Sequence, residues 1–172
     1  ERNARPPNFF LPEVSRGSRP TGRRGQRPRT RPASLTIAGR RARDTGAMIL
    51  TFLQVGLGGA IGAVLRFGTG LAILRLAGPG FPLGVLTVNI LGSFLMGAFA
   101  IYAFHRDVQH LNPFVMTGIL GGFTTFSAFS YEAFALYERG EIAQAGLYVA
   151  LSVVLSIAGL VAGVLAARAI WA

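Results

Sequence analysis

The sequence has no cysteine, and acidic and histidine residues are scarce. Of its 172 residues, seven are Asp or Glu and two are His. The absence of cysteine excludes disulfides and thiolate metal sites. His105 and His110 lie in a short polar stretch without carboxylate-rich surroundings, which argues against a histidine-based metal site. No Ser/His/acid set, HExxH motif, P-loop or GxGxxG motif occurs, so the sequence predicts that the protein is not an enzyme.

Apolar residues dominate what is present. Hydrophobic residues make up 51% of the chain, charged residues 14%, and the mean hydropathy is +0.48. This composition is typical of an integral membrane protein, and the length suits one domain.

The net charge of +10 is unevenly placed along the chain. Residues 1–47 hold 12 of the 17 arginines and three acids, which gives +9, whereas the other 125 residues carry +1. Six prolines and no apolar periodicity predict that residues 1–47 are a disordered Arg/Pro-rich extension. We expect the working protein to begin at Met48, with the extension dispensable or absent from the native protein. The alternative is an arm that binds anionic lipid or nucleic acid.

Four apolar segments follow, and each is long enough to cross a hydrocarbon core of about 30 Å as a helix. Turn-forming residues separate the first two segments and polar residues the others. The sequence therefore predicts an all-α membrane protein with four transmembrane helices, at residues 49–76, 83–104, 114–137 and 142–170.

The charged connections give no preferred orientation. With four spans, Arg106 and Arg168 lie on one side of the membrane, and Arg75 and Arg139 on the other. The positive-inside rule therefore makes no choice between orientations. Such a balance is what a chain inserting in both orientations needs, although small counts often balance by chance.

The third segment contains a poor helix at its centre. Gly121 and Gly122 each weaken a helix by about 1 kcal/mol relative to alanine, and the β-branched pair at 124–125 follows. A break at membrane depth frees main-chain carbonyls, which must find a packed neighbour, water or an ion. Phe126 and Phe129 come next, on one helical face. The pattern predicts an ion site; the alternative is glycine-mediated helix packing with ordinary phenylalanines.

Other polar residues in the apolar segments are candidates for the same site. Asn89 offers two amide donors and one acceptor. Tyr148, Ser152 and Ser156 fall four residues apart along one helix face, where a row of hydroxyls could lead an anion through the protein. The alternative is that each serine bonds the carbonyl one turn back and the tyrosine lies at the membrane interface.

Three further features bear on ion binding. The positive edges of the Phe126 and Phe129 rings can stabilise an anion in a dry passage. Arg66 could draw anions into a vestibule or extend to the lipid headgroups. Glu132 could pair with a hydroxyl or with Arg66, or act as a coupling carboxylate in a transporter.

Taken together, these residues resemble the Fluc (CrcB) fluoride channel family over nearly all of residues 48–172. The resemblance rests on three runs. They are GGAIGAVLRF at 58–67, GVLTVNILGSF at 84–94 and, most specifically, GGFTTFSAF at 121–129.

The resemblance implies a bacterial inner-membrane channel that exports cytoplasmic fluoride passively. It implies an antiparallel, dual-topology homodimer with two pores and a central, structural sodium ion; the alternative that the sequence leaves open is a heterodimer with a related chain. The sodium ligands would be the main-chain oxygens of Gly121 and Thr124. The partners of the protein would be the fluoride ion and the lipid bilayer, and it would not bind nucleic acid. The implied fluoride pathway consists of Asn89, Phe126, Phe129, Tyr148, Ser152 and Ser156, with Arg66, Ser127 and Glu132 supporting it.

Two positions depart from the family's usual pattern. Val85 and Ala128 stand where the family commonly has threonine, so each lacks a hydroxyl near the implied pathway. Two other functions are compatible with the residues alone. One is a dual-topology exporter of cationic small molecules that uses Glu132, and the other is a membrane assembly subunit with a basic N-terminal arm.

Overall fold

The computed structural model describes the backbone of residues 33–171 and the side chains of residues 45–171. Within these residues the fold is all-helical, without a strand. Short turns join the helices, except at residues 124–125, where the backbone is extended. The elements are α1 (Ala33–Ala77), α2 (Leu83–His105), a 3-10 turn (Gln109–Leu111), a π-helix (Pro113–Leu120), α3 (Gly121–Phe123), α4 (Phe126–Glu138) and α5 (Ile142–Trp171).

Three helices are long and apolar enough to cross a membrane. They are the Thr45–Ala77 part of α1, all of α2 and all of α5. Their ends agree closely with the first, second and fourth predicted segments, except at the start of α1. The third predicted segment, residues 114–137, is not one helix but the π-helix, α3 and α4 in succession.

The start of α1 differs from the prediction of a disordered extension over residues 1–47. Residues 1–32 lie outside the described residues, but α1 begins at Ala33 and makes residues 33–47 helical. The prediction treated the tail as uniform, whereas all six of its prolines lie at or before Pro32. Without proline, a helix can extend from the apolar run toward the N-terminus at little cost per residue.

The chain reverses at glycines with positive φ. Gly78 (φ 76°) and Gly80 (φ 142°) join α1 to α2, and Gly140 (φ 79°) joins α4 to α5. An L-residue other than glycine is strained in this region, so glycine makes these short reversals possible. As a result α4 packs against α5, and α2 packs against α5 along much of its length.

Glycines also bring α1 into backbone contact with the third segment. A Cβ added at Gly118 would lie 2.9 Å from the Cα of Gly58, and one at Gly122 would lie 2.6 Å from the carbonyl oxygen of Gly59. A Cβ at Gly62 would meet the carbonyl oxygen of Ile119. We call this contact, formed by Gly58 and Gly62 of α1 with Gly118 and Gly122, the α1 seam. Small residues allow such close approach in membrane helices.

A second glycine contact joins α2 to α5. A Cβ at Gly97 would meet the carbonyl oxygen of Leu160, and a Cβ at Gly163 would meet that of Phe94. In addition, α2, α4 and α5 share a cluster of buried side chains, namely Leu86, Phe129, Leu136, Ala145 and Tyr148. The outer surface is strongly apolar: Phe52 and Phe67, for example, are 71% and 74% exposed. This is the surface expected of helices surrounded by lipid.

Candidate functional site

The helical path of the third segment stops at Thr124 and Thr125. Thr124 has ψ 160°, and Thr125 has φ −154° and ψ 120°, so both are extended, and α4 begins at Phe126. The sequence favours an interruption here because two glycines precede two β-branched residues, all poor helix formers. Backbone groups on both sides of the interruption therefore lose their helical partners.

Asn89 of α2 holds the extended backbone through both halves of its amide. Its Oδ1 accepts the N–H of Thr125 at 2.8 Å, and its Nδ2 donates to the carbonyl oxygen of Thr125 at 3.0 Å. The two bonds resemble one pairing of a β-ladder, made by a side chain. The amide NH₂ group has a second hydrogen that these bonds do not use.

The two threonine hydroxyls complete the interruption. Thr125 Oγ1 accepts the N–H of Ala128 at 3.2 Å, which caps the start of α4, and lies 3.2 Å from Ser127 Oγ. Thr124 Oγ1 donates to the carbonyl oxygen of Leu120 at 3.0 Å. A side-chain cap of this kind satisfies one of the free N–H groups at a helix start.

The interruption releases main-chain carbonyl oxygens. In a continuous helix the N–H groups of Thr125 and Ala128 would bond the oxygens of Gly121 and Thr124, but both N–H groups have other partners. Gly121 is exposed and Thr124 half-buried, and the Thr124 oxygen accepts a hydrogen bond from Arg66 Nη1 at 3.4 Å. Two neutral oxygens per chain, without thiolate or imidazole, are donors that suit a hard cation such as sodium.

Beside the interruption lies a cleft of about 380 Å³ between α2, α5 and the third segment. Five residues of the predicted fluoride pathway line it: Asn89, Phe126, Phe129, Ser152 and Ser156. The other lining residues are Gly92, Ser93, Met96, Thr124, Thr125, Val153, Ile157 and Leu160. The wall is thus mostly apolar with a few hydroxyl and amide groups, the usual composition of a small-ligand site.

Aromatic rings form a chain from the cleft into the core. The centroids of Phe126 and Phe129 are 5.4 Å apart, and those of Phe129 and Tyr148 are 5.5 Å apart. Phe126 is 79% exposed, whereas Phe129 and Tyr148 are buried. The two phenylalanines therefore differ in freedom: the Phe129 ring is fixed by packing, and the Phe126 ring is not.

The hydroxyl row on α5 divides into two environments. Tyr148 is fully buried, does not line the cleft, and donates to Glu132 Oε2 at 2.9 Å. Glu132 therefore pairs with a hydroxyl, one of the alternatives that the sequence left open. Ser152 is 4% exposed and its Oγ has no hydrogen-bond partner, so the serine-to-carbonyl bond that was the alternative is not made here. A buried hydroxyl without a partner that lines a cleft is suited to bind a ligand.

Several predicted residues lie beside the cleft rather than in its wall. They are Gly121, Arg66, Ser127 and Glu132. Gly121 lies just before the interruption, Arg66 and Ser127 are hydrogen-bonded to its two threonines, and Glu132 is hydrogen-bonded to Tyr148. Val85 packs against the buried cluster, and Ala128 lies in the first turn of α4. Neither residue lines the cleft, so the absence of a threonine hydroxyl at these positions does not change the wall of the cleft.

The sequence pointed to some lining residues only indirectly. Ser93 lies one helical turn after Asn89 and shares its face, a spacing that was available as a signal. Gly92 and Met96 gave no such signal, because glycine and methionine are common in any apolar helix. Thr125 was expected only to weaken a helix, whereas it also caps α4 and pairs with Asn89.

Comparison with known proteins identifies the family. The profile of the family described as "CrcB-like protein, Camphor Resistance (CrcB)" matches residues 53–164, which include every residue of the site described above. The chain belongs to the CrcB family. The resemblance drawn from the sequence is therefore confirmed.

Curated CrcB relatives are similar over almost their whole length. A protein of Ruegeria sp. (strain TM1040) named "Fluoride-specific ion channel FluC" is 61% identical over 124 residues, 72% of this chain and 98% of the relative. Proteins of the same name from Roseobacter denitrificans and Rhizobium etli (strain CIAT 652) are 57% and 50% identical over 123 and 125 residues. These matches cover 70% and 72% of this chain, and 98% and 99% of the relatives. The named relatives are ion channels, which confirms the prediction that the CrcB chain is not an enzyme.

Proposed function

We propose that this protein is a fluoride channel that lets cytoplasmic fluoride leave the cell passively across the bacterial inner membrane. The observation that carries the proposal is the cleft, where Asn89, Phe126, Phe129, Ser152 and Ser156 meet beside an interrupted helix. A relative that is 61% identical in sequence is named a fluoride-specific ion channel, which supports fluoride as the ion.

The wall of the cleft is suited to a small anion that has lost water. Ser152 Oγ and the unused Nδ2 hydrogen of Asn89 are donors available to an anion. The edge of an aromatic ring is positive, so Phe126 and Phe129 add weaker electrostatic stabilisation. Glu132 accepts a hydrogen bond from the Tyr148 hydroxyl, which partly offsets the negative charge of its carboxylate. Fluoride moves down its electrochemical gradient, and no coupling step is required.

The proposed assembly is an antiparallel homodimer in which each chain crosses the membrane four times. The third crossing is made by residues 113–138, with the interruption near its middle. The balanced arginines of the connections suit insertion in both orientations. The cleft is open on the surface of a single chain, and the large exposed apolar area beside it provides a face for a second copy.

A sodium ion fits the freed carbonyl oxygens. We assign its ligands as the main-chain oxygens of Gly121 and Thr124 from each of two copies. These are neutral, hard donors, and the hydrogen bonds of Asn89 and Thr125 keep the helical N–H groups away from them. When bound, the ion supplies a fixed positive charge that holds two interrupted helices together; it is structural and is not transported.

Fluoride efflux from liposomes tests the function. Protein comprising residues 48–172 is reconstituted into vesicles loaded with potassium fluoride, and efflux is followed with a fluoride electrode after valinomycin is added. We expect fast fluoride release, little release from matched chloride vesicles, and the same rates for residues 1–172. Absence of fluoride-selective efflux from folded dimers contradicts the proposal, and loss of efflux on removing residues 1–47 favours the assembly subunit with a basic arm.

Glu132 separates the channel from a proton-coupled exporter of cationic molecules. Such an exporter needs a carboxylate that exchanges protons, so E132Q abolishes its transport. In a passive channel the substituted glutamine can still accept the Tyr148 hydrogen bond through its amide oxygen, so we expect at least part of the fluoride efflux to survive. The exporter is favoured if wild type transports a cationic substrate, E132Q does not, and neither protein shows fluoride-selective efflux.

A further inference from the structure

Arg66 makes an unusual contact with the interrupted helix. Its Nη1 donates to the carbonyl oxygen of Thr124 at 3.4 Å, across from α1 to the third segment. This is the oxygen that loses its helical partner because the N–H of Ala128 bonds to Thr125 Oγ1. A guanidinium cation therefore points at a main-chain oxygen that is available for an inorganic cation.

The position of Arg66 is fixed by its helix. Gly62 lies one turn before it in the α1 seam, where a Cβ would come within 2.8 Å of the Phe123 nitrogen. Because the two backbones touch there, α1 cannot move toward Thr124, and only the arginine side chain can adjust. Arg66 is exposed enough to reach solvent, yet its Nη1 bond to Thr124 is partly buried, so water screens the charge less at that end.

No carboxylate of residues 45–171 lies within ion-pairing distance of this guanidinium. In that part of the chain, the one ion pair closer than 4.0 Å joins Arg139 to Glu141, in the connection between α4 and α5. Glu132, the acidic residue in the middle of α4, accepts a hydrogen bond from Tyr148 instead. The positive charge of Arg66 thus acts on the Thr124 oxygen without a compensating ion pair.

We propose that Arg66 competes with the inorganic cation for the Thr124 oxygen and so weakens cation binding. The inference rests on the proposed function for the cation site itself, and it adds a residue that opposes that site. The same charge attracts an anion to the region, so Arg66 favours one ion of the channel at the expense of the other. A guanidinium cannot lose its charge near neutral pH, so this opposition is permanent.

The direction of the effect distinguishes competition from an ordinary structural role. If Arg66 only supported the interruption, its removal would loosen the site and weaken cation binding. Competition predicts the opposite, tighter binding. Two unit charges about 5 Å apart repel by about 1 kcal/mol even at the dielectric constant of water, and by more when they are partly buried. Because the proposed site takes a Thr124 oxygen from each of two copies, the substitution removes two such charges and should tighten cation binding at least about fivefold.

The test is a sodium titration of thermal stability with purified dimers. Wild type, R66Q and R66M are titrated with sodium chloride, and N-methylglucamine chloride keeps the ionic strength constant. We expect half-maximal stabilisation at a sodium concentration at least about fivefold lower for R66Q and R66M than for wild type. R75Q is the matched control, because Arg75 lies exposed in the last turn of α1, and it should titrate like wild type.

Unchanged or weaker sodium binding in R66Q and R66M overturns the proposal, and so does failure of both variants to fold at any sodium concentration. In the second case Arg66 is required for the fold and is not a competitor. The readout does not depend on fluoride transport, so the two hypotheses fail separately. Wild type without any sodium-specific stabilisation contradicts the cation site, whereas wild type without fluoride efflux contradicts the channel.

Discussion

The α1 seam and the cleft lie on different sides of the same interrupted segment, and they are built in different ways. At the seam, Gly58 and Gly118 bring two backbones so close that an added Cβ would lie 2.9 Å from a Cα atom. At the cleft, α2 stays apart from the segment and reaches it through the amide of Asn89, with bonds of 2.8 and 3.0 Å. One side is held by contact and the other by hydrogen bonds.

This difference separates rigidity from function. A backbone contact leaves no room for an ion or for motion, so the seam can only fix the position of α1 and its Arg66. A side-chain contact leaves space, and that space is the cleft of about 380 Å³. The interrupted segment therefore has one immobile neighbour and one neighbour that can form a passage.

The largest effect is expected from adding a methyl group at the α1 seam, where the two backbones leave no space for it. In G62A the new methyl group meets the carbonyl oxygen of Ile119 and the nitrogen of Phe123, both backbone atoms that cannot move aside. Overpacking of this kind costs about 3 kcal/mol, which exceeds the roughly 1 kcal/mol that alanine gains over glycine in a helix. We expect little folded dimer by size-exclusion chromatography and a lower melting temperature.

G68A is the matched control for this prediction. Gly68 lies in the same helix with no atom within 4 Å of its added Cβ, so the helix gains propensity without a clash. It should fold at least as well as wild type. If G62A and G68A behave alike, the seam is not the tight contact described above.

A smaller effect is expected on the cleft side, from removing the Asn89 amide. N89A leaves the N–H and carbonyl of Thr125 without their partner, a loss of about 2 kcal/mol for two partly buried hydrogen bonds. We expect the dimer to form with a reduced melting temperature. Fluoride efflux should fall about tenfold or more, because the pathway also loses the unused Nδ2 donor, and a hydrogen bond to a charged group contributes about 1.5 kcal/mol or more.

Ser93 provides the comparison for Asn89. It lines the cleft one turn along α2, and no hydrogen bond to the interruption is seen for it. S93A should therefore change the melting temperature little. A melting temperature for N89A equal to that of S93A would mean that the amide does not hold the interruption.

The features of the interrupted segment and its neighbours differ in how far they could be predicted from the sequence. Helical segments 83–104 and 142–170 followed from apolar length, and the weak helix at Gly121–Thr125 followed from propensity, because both are properties of neighbouring residues. The partner of each freed backbone group depends instead on the tertiary structure. Nothing in the local sequence indicates that Asn89, 36 residues away, bonds Thr125, or that Arg66 reaches Thr124.

The α1 seam and the surroundings of the polar side chains were harder still to predict. Small residues four apart, such as Gly58 and Gly62, are a general signal of close helix packing, but their spacing does not indicate that glycines at 118 and 122 face them. The hydroxyls of Tyr148, Ser152 and Ser156 were predicted as one row, yet Tyr148 is bonded to Glu132 and buried behind the cleft. Helix periodicity gives the face of a residue and not the identity of its neighbour.

A third prediction tests the exposed ring of the cleft. Phe126 is 79% exposed on a single chain and lines the cleft, so F126I removes a ring edge without leaving a cavity in the core. We expect fluoride efflux to fall up to about tenfold, as an aromatic contact contributes about 1 kcal/mol, with the melting temperature unchanged. F134I is the control, because Phe134 is 56% exposed on the same helix and does not line the cleft. Equal efflux from the two variants would mean that the Phe126 ring does not act on the ion.

The smallest effect on stability, and the sharpest test of the cleft, is expected for S152A. Ser152 is buried, and its Oγ has no partner, so removing the hydroxyl should leave the melting temperature unchanged or slightly raised. If that hydroxyl donates to fluoride, efflux should nevertheless fall several-fold. S130A is the matched control: Ser130 Oγ is exposed and bonds the carbonyl oxygen of Phe126 at 2.9 Å, so its loss should change neither quantity much. Wild-type efflux in S152A would mean that the buried hydroxyl is not part of the pathway, and that the passage relies on Asn89 and the two rings.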